Sequence, residues 1–174
     1  MRGMERTDLE FLKKWISNEK VTHYLETGDR PPTIERLNEQ FDRESKSQND
    51  IPFMVIHQKG NVPIGWGGLY DINWIKRSCE MRFFIGETKY WKLTAVLESE
   101  KLLIQYAFEK LNLHKVRAGA NIENKGSWKV LEREGFVKEG VFRDSVYRNG
   151  KYYDVYVYSM LRKEYDKLYG HIHK

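Results

Sequence analysis

Apolar residues first recur at helical spacing at Leu9, Leu12, Trp15 and Ile16, just after Thr7 and Glu10, which fit a capping box. This predicts a helix over Asp8–Ser17. Pro31, Pro32 and Thr33 introduce a second helix through Ile34, Leu37 and Phe41, which fades into the polar linker 44–50. The period then changes. Ile51–His57 and Val62–Asp71 read as strands around a Lys59-Gly60-Asn61 turn, and a looser turn at Trp74–Ser78 leads into a third strand, Cys79–Gly86. From Val96 onward the spacing is helical again, with Ser99, Leu103, Tyr106, Ala107 and Leu111 on one face. An alternating strand at Val116, Ala118 and Ala120 and a short helix, Lys125–Glu134, closed by Gly135, come next. The last segment is a hairpin, Phe136–Arg148 and Tyr152–Leu161, around an Asn149-Gly150 turn of type I′. Tyr152, Asp154, Tyr156 and Tyr158 share one face of its second strand, while the face with Tyr153, Val155, Val157 and Leu161 reads as the core side. Hairpins followed by strand-helix-strand describe a mixed sheet with helices on both faces, an α/β (α+β) single domain over residues 1–174.

The chain of 174 residues is long enough to bury one sizeable core. No apolar run reaches the length of a bilayer span, and the opening MRGMERTDLEF lacks the apolar stretch of a secretory signal. The single cysteine, Cys79, excludes an internal disulfide framework and fits a reducing compartment. The expectation is a soluble cytoplasmic protein with no membrane partner. A net charge of +5 favours an anionic ligand. Acidic residues nevertheless interleave with the basic ones. The densest basic cluster, Lys163–Lys174, also holds Glu164 and Asp166 and reads as a solvated helical end, which disfavours a nucleic-acid binder.

The strand-to-helix connection between Gly86 and Glu98 offers unpaired N–H groups and a positive helix end, features that suit a pyrophosphate. Glycine normally allows the close backbone approach and positive φ of such a cradle, yet KLTAVL, residues 92–97, contains none. Lys92 offers a charge, Thr94 a hydroxyl and Ala95 a small side chain. On local sequence alone an ordinary connection outranks a phosphate site. Cys79 beside Glu80 reads as a small buried hydrophobe rather than a nucleophile, since no histidine is close in sequence. His171 and His173 lack further ligands at metal spacing, so no metal site is expected.

The segments ERTDLEFLKKW, IGWGGLYDI, CEMRFFIGETKYW, YAFEKLNLHKVRAGANIENKGSWKVLEREGF and GVFRDSVYRNGKYYDVYVYSML together resemble the GCN5-related N-acetyltransferases. Within that superfamily they look most like the branch that acetylates the N-terminal amines of ribosomal proteins. The most specific pieces are NIENKGSWKVLEREGF and the final hairpin. The resemblance implies a sheet splayed at its centre, with the strand ending at Gly86 and the strand at Val116–Ala120 parting to admit the arm of acetyl-CoA. That co-substrate would meet backbone groups around Phe84, Ile85 and Gly86, the loop Lys92, Leu93, Thr94, Ala95 and Val96, and Asn121 and Asn124. The family's glycine loop, of the form YWGKGYGTEA, falls on Tyr90–Ser99 and places its glycines at Lys92, Thr94 and Val96. The resemblance also implies a strand before residues 1–11, either very short here or lying upstream. An open sheet edge there would admit a homodimer.

The implied reaction is direct attack of a primary amine on the thioester, with a protein N-terminus or a small molecule such as a polyamine or amino sugar as acceptor. A base must take the ammonium proton, and the departing thiolate needs a donor. Glu80 falls where relatives place a carboxylate beside the thioester, although an ion pair with Arg82 explains it equally well. Asn124 and Ser127 match the family's N-x-x-S helix start, which makes Ser127 the acid candidate. Asn124 also fits a plain N-cap. Many relatives carry a tyrosine acid where this chain has Leu131. The competing reading is a catalytically inactive binding or regulatory protein that keeps the fold.

Overall fold

A computed structural model describes residues 1–25, 31–148 and 150–170. Asn149 of the proposed turn and the His171/His173 pair lie outside the described residues. Seven strands form one mixed sheet: β1 (Arg2–Gly3), β2 (Ile51–His57), β3 (Val62–Asn73), β4 (Ser78–Ile85), β5 (Lys115–Asn121), β6 (Val137–Arg148) and β7 (Lys151–Leu161). Their spatial order is β1-β2-β3-β4-β5-β7-β6. The meander β2-β3-β4 is antiparallel as its connecting turns predict, and β1 is a two-residue strand beside β2.

The positioning feature of the fold is the junction of β4 and β5. These strands are parallel and pair only from Ser78↔Lys115 to Glu80↔Arg117. Beyond Glu80 they separate, while β5 stays zipped to β7 as far as Asn121↔Val155. Two helices begin at the open end of this split. Helix α4 (Leu93–Gln105) continues as a π turn through Lys110, and α5 (Lys125–Glu134) ends on Gly135, whose φ of +96° suits glycine. They cover one sheet face and close the main core around Leu69, Cys79, Leu103, Phe108, Val116 and Met160. Helix α1 (Leu9–Ile16) and helix α3 (Ile34–Lys46) pack on the second cluster, around Leu9, Trp15, Leu37 and Met54. Each large side chain buried this way contributes about 1.5–3 kcal/mol. A last helix, α6 (Arg162–Tyr169), docks Tyr165 against Phe108.

Several local expectations change. The Thr7–Glu10 box is replaced because the chain already turns at Arg6–Asp8. There the Asp8 carboxylate accepts the Glu5 N–H at 2.8 Å and a forked pair from Arg2 at 2.7 Å. Helix α3 runs on to Lys46 because Glu44 is drawn into the sheet, accepting from Gln40 at 2.7 Å and from the Tyr70 hydroxyl at 3.3 Å. Helix α2 (Glu19–Thr22), with the Asn18 side chain accepting the Lys20 N–H at 3.1 Å, was not anticipated. In β7 the tyrosine face is the core side at its C-terminal end, where Tyr158 and Met160 are fully buried. The Tyr158 hydroxyl reaches Glu132 at 2.9 Å, so its ring is buried without stranding the polar tip.

Candidate active site

The split between β4 and β5 opens a cleft of about 1190 Å³. Residues expected from the sequence line it in three groups: Glu80, Phe84 and Ile85 from β4; Lys92, Leu93 and Val96 at the start of α4; and Asn121, Asn124 and Ser127 around the start of α5. Gly86, Thr94 and Ala95 are not among its lining residues. Gly86 serves a different contact. Its N–H donates to the Ile64 carbonyl at 2.9 Å, and a Cβ built on it would fall 2.1 Å from the Trp15 ring. The Ile85 carbonyl accepts the Trp91 indole N–H at 2.8 Å, which holds the turn after β4 against the strand end.

The glycine-free loop turns out to be mostly helix. Lys92 is the N-cap residue with φ −119° and ψ 139°, and Thr94 and Val96 lie in the first turns of α4. None of residues 92–97 has positive φ, so this backbone makes no demand for glycine. Among the described residues no side chain caps the helix, which leaves its first N–H groups and the positive end of its dipole near the cleft that Lys92 and Leu93 line. Anions are stabilised by that arrangement.

At the start of α5, Asn124 Oδ1 accepts the Ser127 N–H at 3.1 Å, a plain N-cap that also orients the first turn toward the cleft. Asn121 Oδ1 accepts the Glu123 N–H at 2.9 Å and fixes the preceding turn. One turn further, Val130 lines the cleft, while Leu131 is buried in the main core.

Glu80 lies at the vertex of the split. The ion pair with Arg82 is present, at 3.1 Å from Nε and 3.3 Å from Nη2, and Arg82 also reaches Asp71 at 2.9 Å. The Glu80 carboxylate is still one-third exposed, so pairing and facing the cleft coexist. Cys79 points the other way: it is fully buried, and burial pushes its thiol up to about 12, which removes an acyl-cysteine route. Among the described residues no group of three or more His, Cys, Asp or Glu could hold a metal ion.

The opposite wall comes from the α2 region and was not seen in the sequence. Glu19, Val21, His23 and Tyr24 line it, and Arg148 at the end of β6 donates to the carbonyls of Thr22 and Leu25, tying this wall to the hairpin. The Asn18-Glu19 cap signal was the available clue.

The Acetyltransferase (GNAT) domain family model matches residues 1–137. A putative ribosomal N-acetyltransferase, YdaF of Bacillus subtilis, is 35% identical over 95% of this chain and 92% of its own length. A spermidine N(1)-acetyltransferase of Vibrio cholerae is 30% identical over 95% of this chain and 94% of its own. A crystal structure of spermidine N-acetyltransferase from Vibrio cholerae in complex with CoA and spermine superposes with a TM-score of 0.84 at 28% identity, covering 94% of this chain and 95% of that one.

Proposed function

Because the chain belongs to the GNAT acetyltransferases and moves an acetyl group from acetyl-CoA to an amine, we propose that transfer takes place in the β4–β5 cleft. The observation that carries this reading is the parting of β4 and β5 beyond Glu80, with the uncapped start of α4 and the start of α5 facing the same opening. The residues fit the co-substrate. Lys92 and the free amides of Leu93, Thr94 and Ala95 would hold the pyrophosphate, and the edge of β4 around Phe84, which no longer pairs with β5, would receive the amide-bearing arm beside the Ile85 carbonyl held by Trp91. Asn121 and Asn124 shape the turn beside it. Gly86 acts indirectly, by seating the end of β4 on Trp15.

In this reading Glu80 takes a proton from the acceptor ammonium, directly or through water. The freed nitrogen lone pair attacks the thioester carbonyl, the carbon–sulfur bond breaks as the intermediate collapses, and the Ser127 hydroxyl donates a hydrogen bond or proton to the departing thiolate. A polyamine is the preferred acceptor, supported by the spermidine acetyltransferase relatives and by Glu19 and Glu80 in the cleft wall. A protein N-terminus is the second reading, supported by the similarity to the putative ribosomal enzyme. We read residues 1–174 as one transferase domain. We also read self-association through the exposed edge strand β6, where Val137, Val141 and Phe142 face solvent; sedimentation equilibrium tests it.

Calorimetry with acetyl-CoA, followed by thiol release against spermidine, spermine, an amino sugar and short peptides with free N-termini, tests the function. Turnover with the polyamines above the peptides supports the preferred acceptor, and the reverse order selects the N-terminus. Absence of acetyl-CoA binding at millimolar concentration would remove the cleft assignment and leave an inactive binding protein.

A further inference from the structure

Two glutamates meet where α4 and α5 pack under the cleft. Glu100 and Glu134 are 7% and 4% exposed, and Glu100 lines the cleft wall. On α4, Glu100 falls on the buried stripe that runs from Val96 to Leu103 and Ala107. Among the described residues, Glu100 Oε2 and both carboxylate oxygens of Glu134 have no hydrogen-bonding donor. The two carboxyls come within hydrogen-bonding reach of each other once one of them carries a proton. Burial pushes both groups above the usual carboxylate range and the neighbouring Glu100 raises Glu134 further, so the pair holds a proton near neutral pH.

Among the described residues no cation pairs with either carboxyl. The phenol of Tyr169 donates to the Glu134 backbone carbonyl at 3.3 Å, and Lys101 lies over the Tyr169 ring. A buried acid pair held for stability alone is a poor device, since well-packed apolar side chains in its place are commonly neutral or stabilising. Hydrogen bonding between the two acids engages one oxygen of Glu100 and leaves the other over, on a side chain nine-tenths buried in the wall of a cleft. An acceptor in that situation calls for a donor from the cleft's occupant. The arm of acetyl-CoA carries two amide N–H groups and a hydroxyl, and the apolar Val96 stands in the cleft wall one helical turn before Glu100.

We propose that Glu100 is a binding residue for the amide-bearing arm of acetyl-CoA, with the carboxyl oxygen not engaged by Glu134 accepting an N–H or O–H from the arm and Glu134 holding the carboxyl in place. This rests on reading the cleft as the coenzyme site. Glu134 is a positioning residue in this arrangement, since it meets the arm only through Glu100.

The test is calorimetry on the full chain with two probes, acetyl-CoA and adenosine 3′-phosphate 5′-diphosphate, which has the phosphates but no arm. For Glu100→Leu the expected result is a weakening of acetyl-CoA by about tenfold, the scale of one lost hydrogen bond. Binding of the nucleotide should stay unchanged and the melting temperature unchanged or raised. Glu100→Gln keeps an acceptor oxygen and the shape, and should hold acetyl-CoA affinity within about threefold of wild type. Unaltered acetyl-CoA affinity in Glu100→Leu overturns the proposal, as does an equal loss for both probes, which signals a disturbed helix contact. Failure of the coenzyme reading looks different: wild type itself then binds neither probe, and the proposal falls with it.

Discussion

Gly86→Ala separates packing from coenzyme contact at the end of β4. The added Cβ would lie 2.1 Å from Trp15 Cδ2, 2.3 Å from Cγ and 2.6 Å from Cε2, where contacts under 3.0 Å are essentially never seen. The indole cannot retreat easily. It is 1% exposed, packs edge-on to Phe84 at 6.2 Å and against Phe11 at 5.9 Å, and its N–H is held by Glu87 at 3.0 Å. Overpacking of this kind costs about 1–3 kcal/mol, or roughly 2–12 °C of melting temperature for a chain of this size. Differential scanning calorimetry measures the loss. In a Trp15→Phe background the same substitution should cost less by about 0.5–3 kcal/mol, the coupling expected of touching residues. Two results would refute the reasoning: a melting temperature within 1 °C of wild type, or an additive double mutant. A fall in acetyl-CoA affinity at unchanged stability would return Gly86 to the coenzyme.

Three further substitutions address the chemistry. Glu80→Gln should lower kcat/KM by about 10²–10⁴-fold if Glu80 is the base, with little loss of stability, because Arg82 keeps Asp71 and exposed pairs are worth at most about 1 kcal/mol; steady-state kinetics and a thermal melt read both, and undiminished turnover sinks the role. Lys92→Glu should weaken acetyl-CoA by about tenfold or more and blunt the salt dependence of binding, measured by calorimetry at two ionic strengths. Glu134→Gln should flatten the pH dependence of folding. Since Glu100 and Glu134 keep protons in the folded chain that the unfolded chain has already released, their stability contribution is full below the ordinary glutamate range and is lost as pH rises through the raised values. Urea melts at pH 5, 7 and 9 should therefore show declining stability in wild type and a shallower decline in the variant. Glu44, also raised by burial, supplies a residual slope in both.

The sheet was legible because its signals are local. A short apolar run before the Lys59-Gly60-Asn61 turn marks β2, alternation marks β5, and Gly135 stops α5 where a positive φ is needed. What was hidden depends on partners distant in sequence. Glu44 reads as linker until Tyr70 gives it a reason to be buried, and Tyr158 reads as a surface residue until Glu132 accepts its hydroxyl. The α2 wall depends on Arg148, which comes from the other end of the chain. Glu100 was the readable omission, since the spacing Val96, Glu100, Leu103 and Ala107 puts a carboxylate on an apolar stripe, and that conflict is itself a pointer to function.

The missing glycines carry less weight against coenzyme binding than they do on the page of sequence. A glycine is required where φ is positive or where a Cβ would strike a neighbour. Lys92 is extended, and Thr94 and Val96 sit on helical backbone with negative φ, so neither conformation excludes a side chain. What the substitutions change is how near a ligand can come: Leu93 and Val96 now form part of the wall. On our reading the phosphates therefore stand off from the helix side and rely on the terminal amides and on Lys92, a grip carried more by charge and less by close backbone contact. Such a site should lose affinity with salt more steeply than one built on amides alone, and Lys92→Ala should remove the difference.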